Sequence, residues 1–252
     1  MTSRTQRGRI VAEGGYQCGE KTRARIIDAA ITLFGELGFD GASTRDIAAL
    51  ASVNPPALRY YFNNKEGVYR ACVKHIVSAV SAHVVDSLEA AEEKLAANAG
   101  DEVLIDAFRA IQRDLASYLF ASAVPSNWRL FTIREQAGLG LKFNAEQGVD
   151  PAQTRILTVS ASVISRLCGL PANHPESIIR AFTINAQLIS FHVTRQSAMT
   201  ALTWDSIGGE RLAQLLAITD DQTVTLLRAL VSARNASQGL QTKRTGFNRC
   251  VT

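Results

Sequence analysis

Apolar residues recur at intervals of three and four along most of this chain, the spacing that places them on one face of an α-helix. Between residues 23 and 37, the apolar positions of one such helix are Ile26, Ile27, Ala30, Leu33, Phe34 and Leu37. Gly38 then supplies a stop signal. Helical spacing continues from residue 78 onward, and no stretch shows the sustained two-residue alternation of a half-buried strand. The sequence therefore predicts an all-α fold.

Two short helices with capping signals are predicted between Ser43 and Phe62. Ser43 is placed to accept a hydrogen bond from a free backbone amide, and Asp46 lies near the positive end of the helix dipole. Asn54 and Pro55 give a second start signal, because asparagine caps well and proline in the first turn loses no helical hydrogen bond. The pattern predicts a helix-turn-helix over residues 43–62.

The second helix of this pair has an apolar inner face and a polar outer face. Leu58 and Phe62 are four residues apart and share the inner face, whereas Tyr60 lies opposite them and Arg59 lies on a flank. Arginine and tyrosine on a face of small residues suit the major groove, where arginine reads guanine or binds phosphate. A helical hairpin of this kind also arises by chance, so the pattern alone leaves a purely structural role open.

Positive charge is concentrated at the beginning of the 252-residue chain. Residues 1–75 hold 11 lysines and arginines against 7 aspartates and glutamates, a net charge of +4, whereas residues 76–252 hold 16 against 16. The excess therefore lies with the predicted DNA reader, as phosphate binding requires. Residues 1–19 are predicted to form a flexible basic arm, and residues 239–252 a flexible tail.

Residues 20–80 resemble the DNA-binding domain of the TetR family of transcriptional regulators. The residues that carry the resemblance are Ile27, Ala30, Phe34, Gly38, Ser43, Ile47, Ala48, Val53, Leu58, Tyr60, Tyr61, Phe62, Lys65 and Glu66. The resemblance implies DNA contacts from Ser43, Thr44, Arg45, Pro55, Pro56, Ala57, Arg59, Tyr60, Tyr61 and Lys65.

Two residues depart from the usual pattern of that family. Ser52 stands where the family usually has a turn glycine, and Arg59 stands where it usually has a tyrosine. A left-handed Ser52 is expected to cost about 1 kcal/mol. Arg59 is expected to alter operator preference, because a guanidinium reaches base acceptors and phosphates in ways that a phenol does not.

Residues 81–238 are predicted to form a helical regulatory and dimerisation domain. The helix that opens at His174 and Pro175 is predicted to extend to about Arg195, and the last helix to span residues 221–236. Their apolar stripes are Ile178, Phe182, Ala186, Ile189 and Val193 on the first helix and Val224, Leu227, Leu230 and Val231 on the second. The family resemblance implies a four-helix interface between two subunits that together read a palindrome. The alternative is that both helices are simply core.

The segment from Trp128 to Gln136 resembles an element of the CecR-like (YbiH-like) subgroup of the TetR family. A small-molecule effector pocket is accordingly expected to include Phe108, Trp128, Phe131, Arg134, Glu135 and Arg166. Arg134 and Glu135 equally suit a structural ion pair at the domain junction. The function that the resemblance implies is a homodimeric repressor that an effector releases from its operator in double-stranded DNA.

Other classes of function have less support. The four histidines have no carboxylate or cysteine placed to complete a metal site, and the sequence lacks nucleophile-elbow, zinc-protease, Walker and dinucleotide motifs. An enzyme, a metal and a cofactor are therefore not expected. An architectural, non-specific DNA-binding protein is a further alternative, although it gives the large uncharged C-terminal domain no role.

Cysteine usage and hydropathy bear on the compartment. The four cysteines are scattered and form no CxxC pair, so free thiols are the expectation, with thiol sensing at Cys72 or Cys168 as an alternative. No apolar segment is long enough to span a membrane. Because an export signal is also missing, a cytoplasmic protein is expected.

Overall fold

A computed structural model describes the backbone of residues 4–120, 126–140 and 151–248, with side chains within residues 19–120, 127–135, 137–140 and 154–239. Every regular element in these residues is an α-helix, so the predicted fold class is confirmed. The helices are α1 (Arg4–Gly41), α2 (Thr44–Leu50), α3 (Pro55–Phe62), α4 (Lys65–Ala96), α5 (Asp101–Phe120), α6 (Ser126–Gln136), α7 (Pro151–Cys168), α8 (Pro175–Val193), α9 (Arg195–Leu202) and α10 (Gly209–Asn248). None of these helices is long and apolar enough to cross a membrane.

The ends of the chain are more helical than the sequence suggests. Helix α1 begins at Arg4 and breaks at Gly38, whose φ of 77° is costly for residues with a Cβ. Helix α10 extends to Asn248, so most of the predicted arm (1–19) and tail (239–252) has helical backbone. Residues 1–3 and 249–252 lie outside the described residues. Four glycines lower the helix propensity of the arm, which explains why the sequence alone predicts no helix there.

The C-terminal helices also differ from their predicted limits. Helix α8 ends at Val193, and α9 follows as a separate element. Helix α10 begins at Gly209, twelve residues before the predicted start at Asp221. Its early turns bury Leu215 against the core. The polar residues just before Asp221 resemble the start of a helix, which is why the sequence did not predict that the helix runs unbroken through them.

The chain forms two compact units. Unit 1 comprises residues 1–78 and 125–148, and unit 2 comprises residues 79–124 and 149–252. The first boundary lies close to the predicted one at residue 80. Helix α6, however, belongs to unit 1, although it lies within the predicted C-terminal domain (81–238). The reason is a long-range contact with α1 that no local periodicity reveals.

Unit 1 is held by an apolar core and an aromatic cluster. Ile26, Ile31 and Ile47 are fully buried, and they join α1 to the helix-turn-helix. The ring of Tyr69 lies 4.9 Å from that of Phe34 and 5.1 Å from the ring of Phe131 on α6, measured between centroids. Such aromatic contacts add to the free energy of apolar burial. The cluster therefore joins α6 firmly to α1 and α4.

Unit 2 has two apolar clusters and one buried polar network. The clusters bring together α4, α5, α7, α8 and α10. Between these helices, buried Gln112 donates to the side-chain oxygen of Asn185 over 3.0 Å and accepts from Thr223 over 3.2 Å. Asn185 in turn donates to Ser160 over 3.4 Å. Because a buried polar group is costly unless paired, this network fixes the register of four helices.

Candidate nucleic-acid interface

The first helix of the helix-turn-helix begins with the predicted cap. The backbone amide of Asp46 donates to the hydroxyl oxygen of Ser43 over 3.1 Å, and the Ser43 hydroxyl donates to the Asp46 carboxylate over 2.6 Å. Thr44 is half-buried and Arg45 is exposed beside this cap. On the inner side Ile47 is fully buried, but Leu50 is 53% exposed. Leu50 therefore does not extend the buried face of α2, although it follows Ile47 at helical spacing.

The turn between α2 and α3 has the conformation expected from the family pattern. Ser52 has a φ of 53°, the left-handed region that usually favours glycine. The amide of Val53 donates to the carbonyl oxygen of Ala48 over 2.9 Å, which closes the turn. Asn54 caps α3 by accepting from the amide of Ala57 over 3.1 Å. Pro55 follows in the first turn, so both predicted start signals are confirmed.

Helix α3 separates its two faces as predicted. Leu58 and Phe62 are buried, whereas Tyr60 is 83% exposed. Arg59 is exposed beside it, and the ring of Tyr61 meets that of Tyr60 edge to face, with centroids 5.1 Å apart. The remaining candidate contacts on this helix are the exposed Pro55 and Pro56 and the half-buried Ala57. A groove beside α3 is lined by Thr44, Pro55, Leu58, Arg59, Asn63 and Asn64.

Lys65 lies against the protein rather than pointing freely into solvent. Its ammonium is 4.6 Å from the centroid of the Phe39 ring and donates to the carbonyl oxygen of Asp40 over 3.4 Å. These contacts place a positive charge at the start of α4, beside the end of α3. Its predicted phosphate contact stays a prediction.

Gly67 is a positioning residue that sequence reasoning did not identify. A Cβ at this position would lie 2.0 Å from the carbonyl oxygen of Phe62, far inside van der Waals contact. The amide of Gly67 donates to the side chain of Asn64 over 2.8 Å, which caps the start of α4. The glycine thus permits the close passage from α3 to α4. Its proximity to the Asn-Asn-Lys-Glu segment is the only signal in the sequence.

The predicted effector residues are distributed between the two units. Trp128, Phe131, Arg134 and Glu135 lie in unit 1, whereas Phe108 and Arg166 lie in unit 2. Phe108 and Phe131 are both buried in the cores of their own units. Trp128 packs against His75, with ring centroids 5.2 Å apart, and Arg166 is exposed.

Arg134 and Glu135 each bind unit 1 separately. Arg134 donates to the carbonyl oxygen of Gly35 over 2.7 Å and to that of Glu36 over 3.0 Å. Glu135 accepts a hydrogen bond from the hydroxyl of Tyr69, and burial raises the pKa of this carboxyl. Within the described residues no ion pair links the two side chains to each other. The predicted ion pair between them is therefore wrong, because Arg134 binds α1 and Glu135 binds α4.

The exposed apolar side chains of α8 and α10 differ from the stripes that the sequence predicted for a dimer interface. On α8, Phe182 is 64% exposed and Ile178 is 37% exposed, while Ala186, Ile189 and Val193 are half-buried. On α10, Leu227 is fully buried in the core of its own unit. Val224, Leu230 and Val231 pack against the same core. The outward apolar side chains of α10 are instead Ile218 and Leu226.

Cys72 and the possible metal ligands among the described residues bear on the thiol sensing that the sequence left open and on metal binding. Cys72 is fully buried, and burial raises the pKa of its thiol far above the ordinary value. A buried, protonated thiol reacts slowly with oxidants. No group of three histidine, cysteine, aspartate or glutamate side chains in this part of the chain is arranged to hold a metal ion.

Comparison with family models gives two matches, which between them include parts of both units. Residues 26–72 match the bacterial regulatory proteins of the TetR family, and residues 104–230 match the C-terminal domain of the HTH-type transcriptional dual regulator CecR. The second match alone covers half of the chain. The chain is a CecR-like member of the TetR family. It is therefore a DNA-binding transcriptional regulator, which is not a class of enzyme.

Individual relatives agree with this TetR-family assignment. The HTH-type transcriptional dual regulator CecR of Shigella flexneri is 26% identical over 211 residues, covering 82% of this chain and 89% of the relative. The negative regulator IcaR of the Staphylococcus epidermidis biofilm operon icaADBC is 43% identical over 51 residues, which are 20% of this chain and 28% of IcaR. The crystal structure of AibR with isovaleryl coenzyme A and operator DNA is 17% identical, with a TM-score of 0.52 over 81% of this chain and 94% of AibR. This last similarity shows the shared fold.

Proposed function

We propose that this regulator is a repressor that binds a palindromic operator as a homodimer and leaves it when a small-molecule effector binds. The observation that supports it most is the outer face of α3, where Tyr60 is 83% exposed beside the exposed Arg59. Both residues lie on the second helix of a helix-turn-helix, the helix that enters the major groove in this motif. Negative regulation is named for IcaR, which is 43% identical to this chain over 51 residues.

Each α3 contact residue has a distinct part in this proposal. Arg59 reads base edges, because a guanidinium binds the two acceptors of guanine in the major groove. Tyr60 and Tyr61 bind phosphate oxygens, and Lys65 holds the backbone near the start of α4. The cap of α2 brings free backbone amides, Thr44 and the exposed Arg45 towards a phosphate.

Dimerisation is supported by the apolar surface of unit 2. We define the outer α8–α10 face by Ile178, Ile179, Phe182, Ile218 and Leu226, which are 37%, 63%, 64%, 51% and 47% exposed. Large apolar side chains exposed on two helices that contact each other favour a surface that another protein covers. A second copy of the same face is the partner that a palindromic operator requires.

Selection from a randomised duplex library tests the reading part of the proposal. The purified protein is expected to enrich two inverted half-sites whose centres are one helical turn, or a whole number of turns, apart. Enrichment of no motif at all would show a non-specific, architectural binder instead. Binding must also weaken steeply as salt rises, because phosphate contacts release counterions.

Light scattering tests the dimer. The wild-type protein is expected to have twice the mass of one chain at micromolar concentration. Phe182→Glu introduces a charge on the outer α8–α10 face, at its most exposed side chain, and is expected to give monomers. Val103→Glu is the matched control, because Val103 is 45% exposed on α5 in the same unit. A monomeric wild type would contradict the proposal.

A further inference from the structure

Unit 2 contains a cleft that the predicted effector residues do not line. It has a volume of about 230 Å³ and is bordered by Arg109, Gln112, Arg113, Ala116, Leu188, Leu216, Ala217, Thr219 and Asp220. The residues from α5 recur at intervals of three and four, so one face of this helix forms one wall. Helices α8 and α10 supply the others. The cleft thus lies between α5 and the two helices of the proposed dimer interface.

The floor of the cleft is apolar and held in place. Leu188 and Ala116 are almost fully buried there, and Leu216 packs against the same core. Gln112 is tied to Asn185 on α8 and Thr223 on α10, so its amide is already paired. A floor of this kind offers contact to an apolar group without requiring large rearrangement.

One end of the cleft is closed by an ion pair. Arg109 donates to Asp220 through Nε over 2.7 Å and through Nη2 over 2.6 Å, and to Asp106 through Nη1 over 2.8 Å. Three of its five N–H groups therefore donate to two carboxylates. The same contact keeps Asp220 ionised, because Arg109 lowers the pKa of this carboxyl. Neither partner is available for a ligand of opposite charge.

Arg113 is a charged side chain of this cleft that lies near enough to Asp220 to help lower the pKa of that carboxyl. It is exposed on the same face of α5, and the hydrogen bonds and ion pairs found among the described residues do not include it. The charged side chains that line the cleft are Arg109, Arg113 and Asp220. Asp106 and Asp220 both bind Arg109, so Arg113 is the lining guanidinium that donates to no carboxylate in this part of the chain. An anionic group on a ligand is the natural partner of a guanidinium, which binds a carboxylate through two parallel hydrogen bonds.

We propose that this cleft binds a small organic acid, with Arg113 holding its carboxylate and Leu188, Leu216 and Ala116 contacting its apolar body. The volume is below the range of about 300–1,000 Å³ typical of clefts for drug-sized ligands, so the occupant is short. Binding of the acid does not depend on the proposed function. Only its expected effect on operator affinity rests on that proposal. The cleft borders α8 and α10, so a bound acid alters the packing of the two helices of the proposed dimer interface. If the acid changes the affinity for the operator, the operator must change the affinity for the acid by the same factor.

Titration calorimetry of the full-length protein with octanoate, in the absence of DNA, tests the site. Octanoate is expected to bind one site per chain with a Kd near or below about 1 mM. Octanamide, which has the same length and no charge, is expected to bind about tenfold more weakly or not at all. No saturable octanoate binding by the wild type at several times this concentration would overturn the proposal.

Two substitutions at exposed positions locate the binding. Arg113→Gln is expected to weaken octanoate binding about tenfold, and Ala217→Phe is expected to block the mouth of the cleft. Arg70→Gln is the control, because Arg70 is exposed on α4 in unit 1. Wild-type affinity in both cleft variants would place the octanoate elsewhere and overturn the proposal. Because no operator is present, failure here leaves the DNA-reading proposal intact, and failure of operator binding leaves this site intact.

Discussion

Arg134 on α6 places its Nε 2.7 Å from the carbonyl oxygen of Gly35 on α1, and its Nη2 lies 3.0 Å from that of Glu36. Both acceptors lie in the turn before the break at Gly38, where helical carbonyls lose their own partners. Gly35 permits the approach, since a Cβ there would lie 3.1 Å from the backbone nitrogen of Phe131. One guanidinium thus joins α6 to the helix that supports the DNA reader.

Removing this guanidinium is expected to destabilise unit 1. Arg134→Ala leaves two helix-end carbonyls without their charged donor, which costs about 1–3 kcal/mol. Chemical denaturation followed by circular dichroism measures the loss. Arg129→Ala, on the same helix, is the matched control and is expected to change the free energy of unfolding by less than about 0.5 kcal/mol. Equal effects from the two substitutions would show that the helix-end contact contributes nothing.

Glu135 is expected to make stability rise as the pH falls. Burial raises the pKa of this carboxyl in the folded state, so the folded protein binds its proton more tightly than the unfolded chain does. The ionised form therefore costs stability above the raised pKa, and protonation removes this cost. Glu135→Gln keeps an acceptor for the Tyr69 hydroxyl and removes the charge.

The melting temperature of Glu135→Gln is accordingly expected to exceed that of the wild type at pH 8. The difference should vanish below the ordinary carboxyl pKa of about 4.3, where Glu135 is protonated in both states. Tyr69→Phe serves as a control, because it removes the hydrogen bond and leaves the buried carboxyl in place. A melting temperature difference that does not depend on pH would contradict burial as the cause.

Asp220 is expected to have the opposite pH dependence. Its hydrogen bonds from Arg109 lower the pKa of this carboxyl, so its contribution to stability is present above the unfolded value of about 3.9 and is lost as the pH falls through the folded one. Because both side chains are partly exposed, Asp220→Asn is expected to cost at most about 1 kcal/mol at pH 7. Its denaturation midpoint should converge with that of the wild type in acid. Asp114→Asn, on α5, is the control.

Arg59 and Lys65 are expected to affect DNA binding in different ways. Arg59→Ala should change base preference within each half-site, with a cost of about 1–3 kcal/mol at the base that it reads. Lys65→Ala should weaken binding to all duplexes alike and reduce the salt slope by about 1. Affinities for a set of single-base operator variants at several salt concentrations separate the two effects. If Arg59→Ala weakened binding to all operator variants equally, Arg59 would contact phosphates rather than bases.

Local signals in the sequence predicted the reading helix well. The caps at Ser43 and Asn54 were identifiable from residue type. The four-residue spacing of Leu58 and Phe62, with Tyr60 on the opposite side, predicted which face of the helix is buried. These features depend on residues within one or two turns of each other. The left-handed conformation of Ser52 was predicted from the family resemblance, since the family usually has a turn glycine at this position.

Contacts between distant parts of the chain could not be predicted from the sequence. Arg134 binds Gly35 across 99 positions, and periodicity carries no information at that separation. Periodicity identified the apolar stripe of α10 that contains Leu227, but it did not show what this stripe packs against. In the structure the stripe faces the core of unit 2, and Leu226 is exposed instead. Gly67 is required by a backbone approach that only the folded chain creates.

The most direct test of the paired reader is a comparison of two duplexes that differ in one half-site. The first carries the selected palindrome, and in the second one half is scrambled at equal length and equal salt. One wrong base pair typically costs about 1–3 kcal/mol of binding free energy. If a dimer reads both half-sites with its two α3 helices, the intact palindrome should bind more tightly than the scrambled duplex by several times this amount. Equal affinity of the two duplexes would contradict the account.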